Sequence, residues 1–194
     1  MKCLLCESLS FHIICQKCLD CIAILPSLRL TQSNLKVYSF YSYQEIAYLL
    51  DAKYDVLGSR IFHRLAQKCA RYFFGKFQHL QMPKNILAIP LDDHLRGFYS
   101  HTAVITRAFA KESQGILTPQ YSKLLATNHV SYAGKDLRFR QANPRNFVYK
   151  GKGEQAVLFD DIITTGITLS SAHECLQKHG VNVLFAITLT NART

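Results

Sequence analysis

The sequence predicts an α/β fold with a mostly parallel sheet, preceded by a small four-cysteine module. Three observations carry this expectation. Short apolar segments alternate with amphipathic helical stretches along most of the 194 residues, as in a sheet with helical crossovers. The last part of the chain reads strand, loop, helix, strand, and the right-handed crossover rule makes those two strands parallel. Five of the seven cysteines fall within the first 21 residues. The expected division is a cysteine module at 1–30 and an α/β domain at 31–194.

The cysteines come first. Cys3-x2-Cys6 and Cys15-x2-Cys18 are two knuckles, and Cys21 is a fifth thiol. Paired knuckles can bring four thiolates to one tetrahedral Zn²⁺, a structural role. Cys15-x2-Cys18-x2-Cys21 also partly matches a ferredoxin-type iron–sulfur run, though no Cys-Pro completes it. Disulfides are the third reading, but no secretory signal precedes these cysteines. Cys21 could replace Cys18 as fourth ligand, or His12 could join. Cys69 and Cys175 sit in apolar helical patterns and read as core residues.

The remaining elements follow in order. Val-Tyr-Ser-Phe-Tyr-Ser-Tyr at 37–43 reads as a strand, and 44–52 and 59–74 as helices with a break at 55–58. Residues 85–91 form a strand ending at Pro90, and 100–111 an amphipathic helix. A short strand or helical turn lies within 121–127. The stretch 133–153 is polar, basic and without periodicity, which predicts a loop. Strand 156–160, helix 168–179 and strand 181–188 close the chain. No apolar run approaches the roughly 18 residues of a membrane span.

The 13 residues Ala156-Val157-Leu158-Phe159-Asp160-Asp161-Ile162-Ile163-Thr164-Thr165-Gly166-Ile167-Thr168 carry the most chemistry. The apolar start suits a strand buried on both faces. Ligands of open α/β sheets bind at the C-terminal ends of strands, where the two carboxylates fall. Adjacent carboxylates are acceptors, suited to vicinal sugar hydroxyls or a hydrated metal ion. Three threonines offer hydroxyl donors, and Gly166 allows close backbone approach. The helix that follows presents free N–H groups and a dipole that favour phosphate. An ordinary Asp/Thr helix cap would explain one of these residues, not the whole set. The stretch is neither a Walker A loop nor a G-x-G-x-x-G turn. A strand end at Pro90 followed by Arg96 and Gly97 is a second anion-binding arrangement, with Arg96 offering a planar fork.

The chain carries 23 Lys+Arg against 13 Asp+Glu, a formal net charge of +10. Nucleic acid and a merely solvated basic surface account for that charge equally well.

The 156–168 stretch resembles the phosphoribosyl-diphosphate (PRPP) motif of the type I phosphoribosyltransferases at all 13 positions. The resemblance implies that Asp160 and Asp161 bind the ribose 2′- and 3′-hydroxyls. Thr164, Thr165, Gly166 and Thr168 then cradle the 5′-phosphate, with Mg²⁺ accompanying PRPP. Leu91 and Asp92, after the earlier strand, would contact the diphosphate together with Arg96. With the cysteine knuckles, Lys53-Tyr54, Arg96-Gly97-Phe98 and the Gln141, Arg145, Asn146, Phe147 series, nearly the whole chain resembles the competence protein F (ComF) family. That family joins a four-cysteine zinc finger to a type I phosphoribosyltransferase-like domain. Tyr99 departs from its pattern, which usually has Asn there.

The resemblance implies a cytoplasmic role in natural transformation, with PRPP as ligand and single-stranded DNA as partner. Other DNA-uptake proteins would be partners too, and could bring the chain to the inner face of the membrane. The alternative is an active phosphoribosyltransferase of nucleotide metabolism with an unknown acceptor. Loop 133–153 interleaves Lys135, Arg138, Arg140 and Arg145 with Phe139, Phe147 and Tyr149. It reads either as a single-strand contact or as a lid over PRPP.

Overall fold

The computed structural model describes residues 1–76, 83–92, 94, 98–128, 130 and 137–192; of 137, 140 and 141 it describes the backbone only. The elements run α1 (Gln16–Cys21), β1 (Ser27–Leu30), β2 (Lys36–Ser39), β3 (Tyr41–Ser42), α2 (Tyr43–Leu50) and a 3₁₀ turn (Asp51–Tyr54). Then come α3 (Gly58–Lys76), β4 (Ile86–Pro90), α4 (His101–Glu112), β5 (Leu117–Pro119) and β6 (Leu124–Ala126). The chain continues through α5 (Leu137–Ala142), β7 (Phe147–Tyr149), β8 (Gln155–Ile163), α6 (Ile167–Lys178) and β9 (Asn182–Asn191).

Among the described residues the main sheet has seven strands in the order β1-β2-β9-β8-β4-β5, with β3 also on β9. All pairings in it are parallel except β1 with β2. The fold is therefore α/β with a mostly parallel sheet. The β8–α6–β9 unit is the predicted one, and its two strands are parallel.

Burial on both faces explains the unbroken apolar strands. In β8, Ala156 and Leu158 join one core with Leu169, Ala172 and Leu176 of α6. Val157 and Phe159, one residue on, join the other core with Phe62 and Leu65 of α3 and Ile105 and Phe109 of α4. The period of two thus splits the strand between two hydrophobic layers.

The N-terminal segment packs into the second core through Ile13, Ile14 and Leu19. Lys68 of α3 holds the end of α1 by donating to Leu19 O at 2.7 Å and Ile22 O at 2.6 Å. A cation on those terminal carbonyls is favoured by hydrogen bonding and by the helix dipole.

Four expectations change. Strand 156–160 runs on to Ile163, because β9 keeps pairing with it as far as Ile163↔Asn191. The predicted strand 37–43 is divided at Phe40 into β2 and β3. Stretch 133–153 is not all loop: its described part contains α5 and β7, and β7 pairs antiparallel with β6 from Leu124↔Tyr149 to Ala126↔Phe147. Strand β5, with no alternation over three residues, was not expected at all. Cys69 is fully buried, as its apolar helical setting predicts, whereas Cys175 is half-buried and donates to Phe147 O at 3.3 Å.

Candidate functional site

The carboxylates Asp160 and Asp161 lie inside the second half of β8, and the loop begins only at Thr164. Alternation places Asp161 on the same face as Val157 and Phe159. There it meets residues from two other elements. Lys53 Nζ, on the 3₁₀ turn, is 3.5 Å from Asp161 Oδ2. His101 Nε2, at the first position of α4, is 3.7 Å from the same oxygen. Ligand atoms of His101, Asp160 and Asp161 all lie within 4.8 Å of one another.

The two carboxyls differ in how readily they ionise. Burial and the neighbouring Asp161 charge push Asp160 well above the usual carboxylate range. Burial pushes Asp161 the same way, but His101 and Lys53 outweigh it and hold Asp161 below its ordinary value. Burial alone would lower Lys53; the Asp161 charge leads the effects that raise it instead. The backbone also contributes, since Asp161 N–H donates to Asp160 Oδ1 at 2.9 Å. Two carboxyls side by side with opposite shifts form a site that holds one negative charge firmly and gains a second, by releasing a proton to solvent, when a cation arrives. The donor set fits a hard divalent cation, with Asp160 and Asp161 as its ligands.

Beyond the strand, Gly166 is the N-cap of α6 with φ 83° and no side-chain cap. A residue with Cβ would be strained in that left-handed conformation, so glycine here lets the loop turn directly into the helix. Thr164 and Thr165 precede it, Thr168 sits in the first turn, and Ile167 N–H makes a long 3.5 Å bond to Thr165 Oγ1. Arg29 of β1 clamps this loop. Its Nη1 donates to Thr164 O at 2.8 Å and to Asn191 Oδ1 at 2.9 Å.

Leu91 and Asp92 follow β4, the strand beside β8, and Leu91 N–H donates to Phe159 O at 2.8 Å. They therefore share the sheet edge with the carboxylate pair. Asp92 has a positive φ of 46°. Its carboxylate accepts from Ala126 N–H at 3.1 Å and faces Arg145 Nη1 at 3.3 Å. Arg145, its side chain 12% exposed, is thus tied to the site's edge rather than presented to solvent. Arg138 is exposed on α5. Arg96, Lys135 and the Arg140 side chain lie outside the described residues.

The second cluster is N-terminal. The Sγ atoms of Cys3, Cys6, Cys15 and Cys18 lie within 4.8 Å of one another, and Cys21 is not among them. Cys6 Sγ and Cys15 Sγ are 3.7 Å apart. Four thiolates at about 2.3 Å from a tetrahedral centre stand about 3.8 Å apart, so the cluster fits such an ion. Backbone N–H groups support it: Cys15 N donates to Cys3 Sγ at 3.3 Å and Cys18 N to Cys15 Sγ at 3.4 Å. The Cys15 N–H leads the effects that lower the Cys3 thiol to about 6.

Three residues of the site were not among the candidates. Lys53 had a signal only in the Lys-Tyr pair of the family resemblance. His101 and Arg29 had none, because tertiary pairing alone brings them to β8 and its loop.

No protein-family model matches the sequence, and no curated protein matches it. Among solved structures, the chain is similar to a hypoxanthine phosphoribosyltransferase from Staphylococcus aureus, with 17% identity, 66% of this chain and 64% of that one covered, and a TM-score of 0.45. It is similar to an adenine phosphoribosyltransferase at 12% identity, with 89% and 88% covered and a TM-score of 0.43. For an orotate phosphoribosyltransferase from Aeropyrum pernix the values are 13%, 87%, 76% and 0.40. The chain spans just under two thirds of the first of these proteins.

Proposed function

We propose that this protein binds PRPP with Mg²⁺ at the C-terminal edge of β8 and serves a DNA-uptake process in which single-stranded DNA is its partner. One observation carries the PRPP part. The Asp160–Asp161 pair, with its one depressed and one elevated carboxyl, stands directly before an uncapped helix N-terminus entered through left-handed Gly166. Acceptors for ribose hydroxyls and donors for a phosphate are thus joined by one short loop.

In this reading Asp160 and Asp161 take the ribose hydroxyls and the accompanying Mg²⁺. Thr164, Thr165, Gly166 and Thr168 take the 5′-phosphate, while Leu91, Asp92 and Arg96 serve the diphosphate. Mg²⁺ would supply charge neutralisation of the diphosphate. Residues 1–30 contain a structural zinc module held by Cys3, Cys6, Cys15 and Cys18, and residues 31–194 form the PRPP domain, whose sheet also takes in β1 (Ser27–Leu30) from the end of the first stretch. The transformation role rests on the resemblance to the competence protein F family and on the net charge of +10.

The test is calorimetric titration of PRPP–Mg²⁺ into wild type and into the Asp160→Ala, Asp161→Ala double variant. Wild type binds and the folded double variant does not; equal affinities would remove the assignment. Incubation with PRPP and a panel of bases, with and without single-stranded DNA, then reads whether diphosphate is released.

A further inference from the structure

A second, strongly basic groove lies away from the carboxylate pair, where the N-terminal segment meets α3 and α4. Its volume is about 600 Å³. Arg60 and Arg64 line it from α3, and Arg107 and Lys111 from α4; no lining residue is acidic. Each pair is spaced i,i+4, so each helix carries two like charges on one face, an arrangement that destabilises an isolated helix. The groove sets these two cationic ridges against one another with no carboxylate in its lining, and Glu112, next to Lys111 on α4, only partly offsets them at His63.

Other features of the groove point to a ligand. Arg64 is only 7% exposed, and its Nε is buried with no hydrogen-bond partner among the described residues. Its other nitrogens donate to Gln16 Oε1 at 2.9 Å and Gln67 Oε1 at 3.4 Å, both neutral acceptors. At the rim, Phe11 is 100% exposed and neighbours His12. Between the ridges, His63 is lowered by burial first and then by the charges of Lys111, Arg107 and Arg64.

We propose that this groove holds a single-stranded nucleic acid, with Arg60, Arg64, Arg107 and Lys111 on the phosphates and Phe11 stacking on a base. Cations along a groove beside an exposed aromatic face are how single strands are bound without sequence readout. An acidic peptide would satisfy the cations but give Phe11 no planar partner. The size falls within the roughly 300–1,000 Å³ range of sites that enclose a small ligand, so the groove holds one or two nucleotides of a longer strand. The inference rests on the nucleic-acid part of the proposed function and relocates the contact from stretch 133–153 to this face. It also links the two sites, because α4 begins with His101 beside Asp161 and reaches Arg107 about 9 Å further along its axis.

The test is fluorescence anisotropy of labelled oligo-dT and oligo-U with the full chain, over a salt series. Arg60→Ala, Arg107→Ala, Lys111→Ala together should weaken binding at least tenfold and flatten the log–log salt slope by about 2, at about 0.7 per lost phosphate contact. Phe11→Ala alters a fully exposed side chain, so it keeps the fold; it should weaken binding roughly tenfold and leave the salt slope unchanged. Melting temperature and zinc content check that the triple variant is folded. If wild type binds both strands but neither variant loses affinity, or Arg138→Ala loses it instead, the groove is not the site although the nucleic-acid reading stands. If wild type binds neither strand, that reading falls and the groove assignment with it. Equal binding of poly-glutamate, unaffected by Phe11→Ala, would overturn the groove's assignment to nucleic acid in favour of an acidic protein partner.

Discussion

Lys53 Nζ and Asp161 Oδ2 stand 3.5 Å apart across 108 positions of sequence. The pair joins the 3₁₀ turn after α2 to the last third of β8. It also separates the roles of two adjacent carboxyls: Asp161 stays ionised against Lys53 and His101, and the burden of burial falls on Asp160.

Opposite stability effects are expected from the two isosteric variants. Asp161→Asn leaves Lys53 and His101 without their carboxylate and should destabilise by about 1–2 kcal/mol at pH 7. Asp160→Asn removes a like charge beside Asp161 and should be neutral or stabilising by about 1 kcal/mol, as at many functional sites. The pH dependence has a fixed sign. A raised native pKa means the native state binds more protons, so Asp160 makes stability fall as pH rises from about 4 towards its native value. Asp161 has a lowered native value; its contribution is complete above about 4 and is lost as pH falls through that value. Metal-free wild type should therefore lose stability between mildly acidic and neutral pH, and Asp160→Asn should flatten that loss. Chemical denaturation across pH 4–8 measures it; the same slope in both proteins would contradict the assignment.

Arg29 should act through the phosphate loop. Its Nη1 holds Thr164 O and Asn191 Oδ1 at once. Arg29→Lys keeps the charge but loses the planar fork. PRPP affinity should fall about tenfold while the global stability changes by no more than about 1 kcal/mol, as read by calorimetry and thermal melts of the same preparations. A normal PRPP affinity would show that the clamp does not set the loop.

Metal content should discriminate among the five N-terminal thiols. Cys18→Ser should lose the bound zinc, and Cys21→Ser should retain one ion per chain, because only Cys18 stands with Cys3, Cys6 and Cys15. Chelation should also lower the melting temperature of the whole chain, since Ile13, Ile14 and Leu19 belong to the core around Phe62 and Leu65. Elemental analysis and a melt before and after chelation test both statements.

Tyr99 should be replaceable at a gain. Its hydroxyl is buried with no hydrogen-bond partner among the described residues, and burial leads the effects that push it up to about 12. The hydroxyl packs where a Cβ on Gly58 would stand, beside Ala52 O. Tyr99→Phe removes an unpaired polar group and should stabilise by about 1 kcal/mol. Gly58→Ala must displace Tyr99 and the Ala52 carbonyl, and should destabilise by about 2 kcal/mol. Equal melting temperatures for wild type and Tyr99→Phe would mean the hydroxyl is satisfied in solution.

The sequence by itself determined what local chemistry determines. Short unbroken apolar runs mark β4 and β8, because a strand buried on both faces needs apolar residues at every position. The Asp-Asp–Thr-Thr-Gly order marks the loop into α6, because glycine alone enters the left-handed N-cap without strain. The cysteine spacing marks the N-terminal cluster, because two knuckles suffice to gather four thiols. Tertiary structure alone decided what these groups face. The length of β8 was set by its partner β9, and β5 and β7 exist through pairing rather than through any pattern of their own. Lys53, His101 and Arg29 reach the site from elements far apart in the chain, and Arg145 is turned onto Asp92. The basic groove joins helices whose charges look like ordinary solvated faces when α3 and α4 are read singly. Each of these depends on which surfaces pack together, and charge–charge and hydrogen-bond geometry acts only after that packing has brought the groups within a few ångströms.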